Sequence, residues 1–371
     1  MHGLRRHVRL LSPEPTERAK GTPMTLEQDR LQAFMQRFAA DQAATMHAAT
    51  VVVGDRLGLY RALADGDAKT ADELAEATDC HPRLVREWLG AQVASAYCEH
   101  DDGRYWLTPE QAACLADPSS PTFVAGGALV SSAVHKDTAR VVEAFATDGG
   151  IGWGEHHHDL FAGTERFFEP VYRSNLVGNW IPALDDVERK LLSGGKVADI
   201  GCGHGASLLL LAEAYPAASF VGFDYHEGSI DAAREAAAEA GVTDRVRFEV
   251  AGADDFAGDD YDLVCVFNAL HEWGDPVRAA NHILAALAPD GTWMFTEPRT
   301  DDELVESVRA RTFYSVSSFV CTPSALSQGA DDALGAQAGE ARLRDVVEQA
   351  GFTRFRRAAE TPAFMVIEAR P

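Results

Sequence analysis

Basic residues are scarce in this chain: 33 Lys and Arg stand against 57 Asp and Glu over 371 residues, a formal charge of −24. Such a balance repels phosphate backbones and anionic lipid surfaces, so neither nucleic acid nor membrane is an expected partner. Long apolar runs are missing too, and none approaches the roughly 20 residues that cross a bilayer. Cysteines are few and unpatterned: Cys80, Cys98, Cys114, Cys202, Cys265 and Cys321 contain no CxxC pair. Several sit in apolar runs where a thiol behaves as a small hydrophobe, and a reducing cytoplasm is the expected compartment. The start, "MHGLRRHVRLLSPEP", lacks an apolar stretch long enough for a signal peptide and is cut by Pro13 and Pro15.

What is present points to a globular protein of two domains, because 46% hydrophobic content over this length supports more than one packed core. Residues 1–25 mix charge, Pro and Gly without periodicity and are expected to be a disordered leader, with Met24 an alternative start. From Leu31 to about Ala64 the apolar residues recur at helical spacing (Leu31, Phe34, Met35, Phe38, then Val52, Val53, Leu57, Leu59, Tyr60), which predicts long, largely buried helices. Thr70 with Glu73 three residues on, and Pro82, mark two further helix starts. A hairpin follows, turning at "HDDGR".

Helix, helix, hairpin is the plan of a winged helix, predicted over residues 26–120. A DNA-reading role would use Arg83 and Arg86. Eight carboxylates crowd the segment, however (Asp72, Glu73, Glu76, Asp79, Glu87, Glu99, Asp101, Asp102), against Lys69, Arg83, Arg86 and Arg104. Phosphate attraction needs the opposite sign, so packing or dimerisation is the expected role.

Residues 121–185, rich in Gly, His and aromatics, read as a helical connector. The adjacent His156, His157 and His158 cannot all face one ion, and no metal centre is expected. From Lys196 the texture becomes strands alternating with helices: "KVADIG", "SFVGFD", "RVRFEV", "YDLVCVF", "TWMFTEP". This alternation predicts an α/β domain over 186–371, a mostly parallel sheet that binds ligands beyond the carboxyl ends of its strands.

In "VADIGCGHGAS" a strand ends at Ile200, and Gly201, Gly203 and Gly205 let the backbone turn tightly against a ligand. The pattern differs from the dinucleotide G-x-G-x-x-G. Asp199, just before it, would sit badly beside a pyrophosphate but suits a cation such as the amino group of S-adenosylmethionine. Asp224, with Tyr225 beside it, ends the next strand about twenty residues on, where a carboxylate can accept from both hydroxyls of a ribose. In "AGADDF", Ala253 leaves room for a flat ring, Asp254 or Asp255 could accept from an exocyclic amine, and Phe256 could pack on adenine.

Together these residues resemble the class I S-adenosylmethionine-dependent methyltransferases. With the winged-helix front end, the chain looks like the two-domain, homodimeric small-molecule O-methyltransferases, and especially like an actinobacterial branch with the phrases "HHHDLFAGTERFF", "GFDYHEGSI" and "ALGAQAGEARLRDVV". The resemblance implies a seven-stranded Rossmann-like sheet with one antiparallel strand, an S-adenosyl-L-methionine cofactor, a small-molecule acceptor and a homodimer through the N-terminal domain. It leaves the acceptor open.

The resemblance also points to "FNALHEWGDP": the family's catalytic histidine lies in an "HDW" phrase after the fourth strand, which "HEW" at His271 matches. Asn268 stands where the branch has an acid, yet it can hydrogen-bond the methionine end of the cofactor. A histidine is suited to take a hydroxyl proton near neutral pH, and Glu297, ending the neighbouring strand, is the candidate to orient it. Trp153, His157, Phe167, Tyr172, Arg173, Tyr314 and Phe319 are the expected acceptor-lining residues. The alternatives are transfer to nitrogen or carbon, a cofactor-binding regulator without catalysis, and a non-methylating use of the fold.

Overall fold

The structure, a computed structural model, describes residues 26–147, 149–300 and 304–371. The segment read as a leader lies outside them. The chain divides after Met46 into two compact units. In the first, the Gln28–Arg56 helix begins, and it corrects one expectation: Leu31, Phe34, Met35 and Phe38 are exposed rather than buried. Helical periodicity gathers them on one stripe, and that stripe faces solvent, with Phe34 and Phe38 stacked at 6.4 Å.

The second unit opens with the winged-helix elements. Thr70 and Glu73 form a reciprocal cap on the Ala71–Ala77 helix, and Pro82 occupies the first turn of Pro82–Ala94. β1 (Glu99–Asp101) and β2 (Arg104–Trp106) pair antiparallel. The two residues between them, Asp102 and Gly103, both have positive φ, the backbone that a two-residue hairpin turn requires. Leu59, Leu63, Leu74, Trp88 and Leu89 form the core beneath. Arg86 pairs with Asp72, Arg104 with Glu73, and Arg83 with Glu87, so carboxylates already engage the basic residues of this face.

The larger sheet comprises β3 (Lys196–Ile200), β4 (Ser219–Asp224), β5 (Val246–Val250), β6 (Tyr261–Phe267), β7 (Leu287–Pro298), β8 (Arg354–Glu360) and β9 (Phe364–Arg370), in the order β5-β4-β3-β6-β7-β9-β8. Only β9 runs against its neighbours. Alternate residues feed two cores: Val197, Leu263, Cys265 and Met294 on one face, Ala198, Val264, Val266 and Phe295 on the other. Between β3 and β6 the strand order reverses, so the loops after these strands open the crevice in which such sheets hold ligands.

Candidate active site

The turn after β3 is shaped by contacts that only glycine permits. Gly201 and Gly205 have φ of 75° and 81°, and a Cβ at Gly205 would lie 2.5 Å from the Phe248 ring. Gly203 (φ 52°) instead opens onto free space, leaving its backbone approachable by a ligand. Its N–H donates to Asp224 Oδ2 at 3.0 Å, and the His226 N–H donates to Asp224 Oδ1 at 2.9 Å. Asp224 is thus fixed at the carboxyl end of β4, one strand from the turn.

Asp199 is fully buried on β3. One carboxylate oxygen accepts from the Ser207 hydroxyl in the first turn of the Ala206–Ala214 helix; the other has no partner. Burial, with the Asp224 charge adding to it, pushes its pKa up to about 7, against the pull of Ser207. An orphaned, desolvated carboxylate beside an open glycine turn is a fitting receptor for an ammonium group. Asn268, which opens the turn after β6 with φ 53°, likewise has a buried amide oxygen without a partner, while its Nδ2 donates to Thr296 Oγ1 at 3.0 Å. These two unsatisfied acceptors and Asp224 suit the cationic and hydroxyl-bearing parts of S-adenosylmethionine.

The third loop departs from expectation. Phe256 is 2% exposed and packs against Phe223 and His282, so it belongs to the core and is not free to cover an adenine. Asp254 pairs with Arg278 at 2.9 Å, and Asp255 accepts from the Gly252 N–H at 2.7 Å. Ala253 remains partly exposed beside them.

His271 is 3% exposed in a short turn, Leu270–Glu272, just past β6. Its Nδ1 lies 2.5 Å from Glu297 Oε2, at the end of parallel neighbour β7. A carboxylate can only accept, so Nδ1 carries the proton and Nε2 keeps a lone pair whenever the ring is neutral. Burial alone would lower the imidazole pKa; the charge of Glu297 and its hydrogen bond, with Glu272, outweigh that and hold it above its ordinary value. Chemically, this is a buried imidazole whose orientation one carboxylate fixes.

The segment between β7 and β8 clamps onto this turn. Gly335 N–H donates to the His271 carbonyl at 3.2 Å, and Gln328 Nε2 donates to the Glu272 carbonyl at 2.9 Å. Trp153, Phe161 and Phe319 pack around a small apolar cluster containing Leu160, Val320 and Cys321, which joins the connector to this segment. Tyr225 is tied to the connector through its hydroxyl, which accepts from the Trp153 N–H at 3.0 Å. Of the other expected lining residues, Tyr314 is exposed, Tyr172 is buried with its hydroxyl beside Asn268, and Phe167 stacks edge-on against Phe168. Arg173 corrects another expectation: it faces solvent and pairs with Glu169.

The three histidines face two carboxylates, His157 and His158 both lying close to Asp159. His156 Nδ1 lies 3.0 Å from Asp137, His157 Nδ1 accepts from the Asp159 N–H at 3.1 Å, and His158 is exposed. Asp159 itself is held by Lys136 and Arg56, each at 2.5 Å. His156 and His157 also line a cleft of about 610 Å³ with Lys136, Arg140 and Phe161. Sequence reasoning missed Ser207, whose signal was its place in the helix turn after the glycines, and His204, whose ring contacts Glu165 at 2.7 Å.

Comparison with known proteins finds likenesses over both parts of the chain. Residues 191–351 match a methyltransferase domain family, and residues 45–117 match a Rv2258c-like winged HTH domain. The chain is 26% identical over 328 residues to O-demethylpuromycin-O-methyltransferase of Streptomyces alboniger, covering 82% of this chain and 81% of that one. It is 28% identical over 249 residues to the N,N-dimethyltransferase OxyT of Streptomyces rimosus, covering 65% and 69%. Human N-acetylserotonin methyltransferase, solved in complex with SAM, shares the fold with a TM-score of 0.66 at 16% identity, over 94% of this chain and 99% of that one.

Proposed function

Because the chain is an S-adenosylmethionine-dependent methyltransferase with a winged HTH domain ahead of its methyltransferase domain, we propose that it methylates a hydroxyl of a small molecule, with His271 as general base. The observation that carries this reading is the buried His271–Glu297 pair, 2.5 Å apart at the carboxyl edge of β6 and β7. Bound S-adenosylmethionine supplies an electrophilic sulfonium methyl in the crevice after β3 and β6. The glycine turn, Asp199 and Asn268 hold its amino acid end, and Asp224, with Tyr225 beside it, takes the ribose. Ala253 and either Asp254 or Asp255 border the adenine.

With the methyl–sulfur bond broken and S-adenosylhomocysteine as the neutral leaving group, His271 Nε2 would take the proton of the acceptor hydroxyl, and Glu297 would stabilise the resulting imidazolium. The rest of the catalysis is alignment within about 3–3.5 Å and exclusion of water. Trp153, His157 and Phe319 are the acceptor contacts most consistent with the fold, because the cluster around Cys321 brings the connector against the segment that clamps the His271 turn. Likeness to an N,N-dimethyltransferase keeps amines as a second acceptor class. The exposed Leu31, Phe34, Met35 and Phe38 stripe supports a homodimer. The paired arginines of the winged helix speak against a DNA target, and six free cysteines fit a cytoplasmic setting.

The test is His271→Asn assayed for S-adenosylhomocysteine release over a panel of phenols, carboxylates and amines, with cofactor affinity measured by calorimetry. The variant is expected to bind cofactor as the native chain does and to lose about 10²–10⁴-fold in turnover, the usual worth of a general base. Undiminished turnover on an acceptor that the native protein methylates would overturn the reading.

A further inference from the structure

A second kind of chemistry is available beside His271. Cys321 closes a π-helical turn, Ser317–Cys321, in the segment between β7 and β8, and is 3% exposed. Single π turns recur at functional sites. This one brings its thiol within 4.8 Å of a Glu272 carboxylate oxygen. Glu272 Oε1 in turn lies 3.9 Å from His271 Nε2, and the donor atoms of His271, Glu272 and Cys321 all fall within 4.8 Å of one another. The three residues come from two segments far apart in the chain, so no spacing motif announces them.

We propose that His271, Glu272 and Cys321 form a binding site for a thiophilic divalent cation, zinc above all, and that its occupancy switches methyl transfer off. Nitrogen, oxygen and sulfur donors together select borderline-soft metals and are poor ligands for magnesium or calcium. Three protein ligands with one open position is the arrangement of non-structural zinc sites. Bonds of about 2.0–2.3 Å give tetrahedral edges of roughly 3.4–3.7 Å, so the donors need to close by only about an ångström. The outer shell is already built: Glu297 holds Nδ1, which fixes the ring and raises the basicity of Nε2. Gln328 and Gly335 pin the backbone of the turn that carries both His271 and Glu272. The Glu272 side chain, 18% exposed, offers a path from solvent.

Binding exchanges the Cys321 thiol proton for a metal–sulfur bond, the proton leaving to solvent without any redox change. The metal then occupies the Nε2 lone pair, which can no longer accept a proton. Binding stands independently of the general-base reading; inhibition rests on it.

The experiment titrates the chelator-stripped full chain with cobalt(II) as a spectroscopic probe and with zinc in the turnover assay. Expected are one equivalent of cobalt with a thiolate charge-transfer band, and zinc inhibition reversed by chelator. Cys321→Ser should lose the band and resist zinc, its inhibition read as a fraction of its own zinc-free turnover. Glu272→Gln should weaken cobalt binding, and Cys98→Ser should match the native chain. No charge-transfer band, or equal zinc sensitivity in Cys321→Ser, overturns the site. A band with undiminished turnover, in a protein whose His271→Asn variant is also active, overturns the general-base reading and the inhibition while leaving the site. An inactive His271→Asn variant with no band in the native chain does the reverse.

Discussion

Replacing Asp199 with Asn should make the ligand-free protein more stable and the cofactor complex weaker. The native carboxylate is fully buried with one oxygen unpartnered, and its pKa stands at about 7 against an ordinary 3.8. For a group whose folded pKa is raised, the folded state binds the extra proton, so the stabilisation is complete below about pH 3.8 and is lost as pH rises to about 7. Above that window, at 1.36 kcal/mol per unit, keeping the carboxylate charged costs about 4 kcal/mol relative to its neutral form. Asn keeps the shape and an acceptor for Ser207, but its amide donor then sits unpaired where the orphaned oxygen was, at a cost of about 1–3 kcal/mol. The net gain at pH 8 is about 1–3 kcal/mol. Thermal melts of the ligand-free protein should therefore rise by several degrees, at about 2–4 °C per kcal/mol for a domain of this size, and the difference should cross zero between about pH 4.5 and 6 and reverse below that. Calorimetry should show the opposite for S-adenosylmethionine. Losing a charge-assisted bond of about 1.5–3 kcal/mol weakens binding roughly 10- to 150-fold. A variant that melts below the native protein at pH 8, or that binds the cofactor unchanged, would refute the reasoning.

Two further outcomes follow from the same geometry. In Glu297→Gln, burial acts on His271 with only the charge of Glu272 against it, so the rise of kcat with pH should move to a lower pH, with the plateau falling about 10- to 100-fold; an unmoved inflection would separate Glu297 from the base. Phe34→Glu combined with Phe38→Glu should convert a dimer to a monomer in sedimentation velocity, and a native chain that is already monomeric would remove the stripe's assigned role.

The strands were legible because each is a short apolar run bounded by turns, and the glycine turn because its three glycines stand where any Cβ constrains the backbone. Asp199 was legible as an acid in the wrong place for a phosphate. The remainder was hidden for physical reasons. Phe256 reads as a ligand contact because acids surround it, yet the loop after β5 turns its ring inward onto Phe223 and His282. Arg173 carries a helical spacing that suits either face, and the local ion pair with Glu169 draws it to solvent. Phe34 and Phe38 have the periodicity of a buried helix because periodicity records a face, not what covers it. Cys321 has no local signal, since only the folded clamp between β7 and β8 brings it to Glu272.

The placement of β9 between β7 and β8 has a consequence for synthesis. Met294 on β7 pairs with Glu368 on β9, while β8 meets the sheet only through β9. As the chain emerges from a ribosome, β7 presents an unsatisfied apolar edge until residues 364–370 arrive, and β8, though made earlier, has nothing to join. The local β8–β9 hairpin can form first and then dock as a unit. Until it does, an interior strand of the finished sheet is an open template for a neighbouring nascent chain, which makes chaperone dependence and aggregation during overproduction properties of this topology.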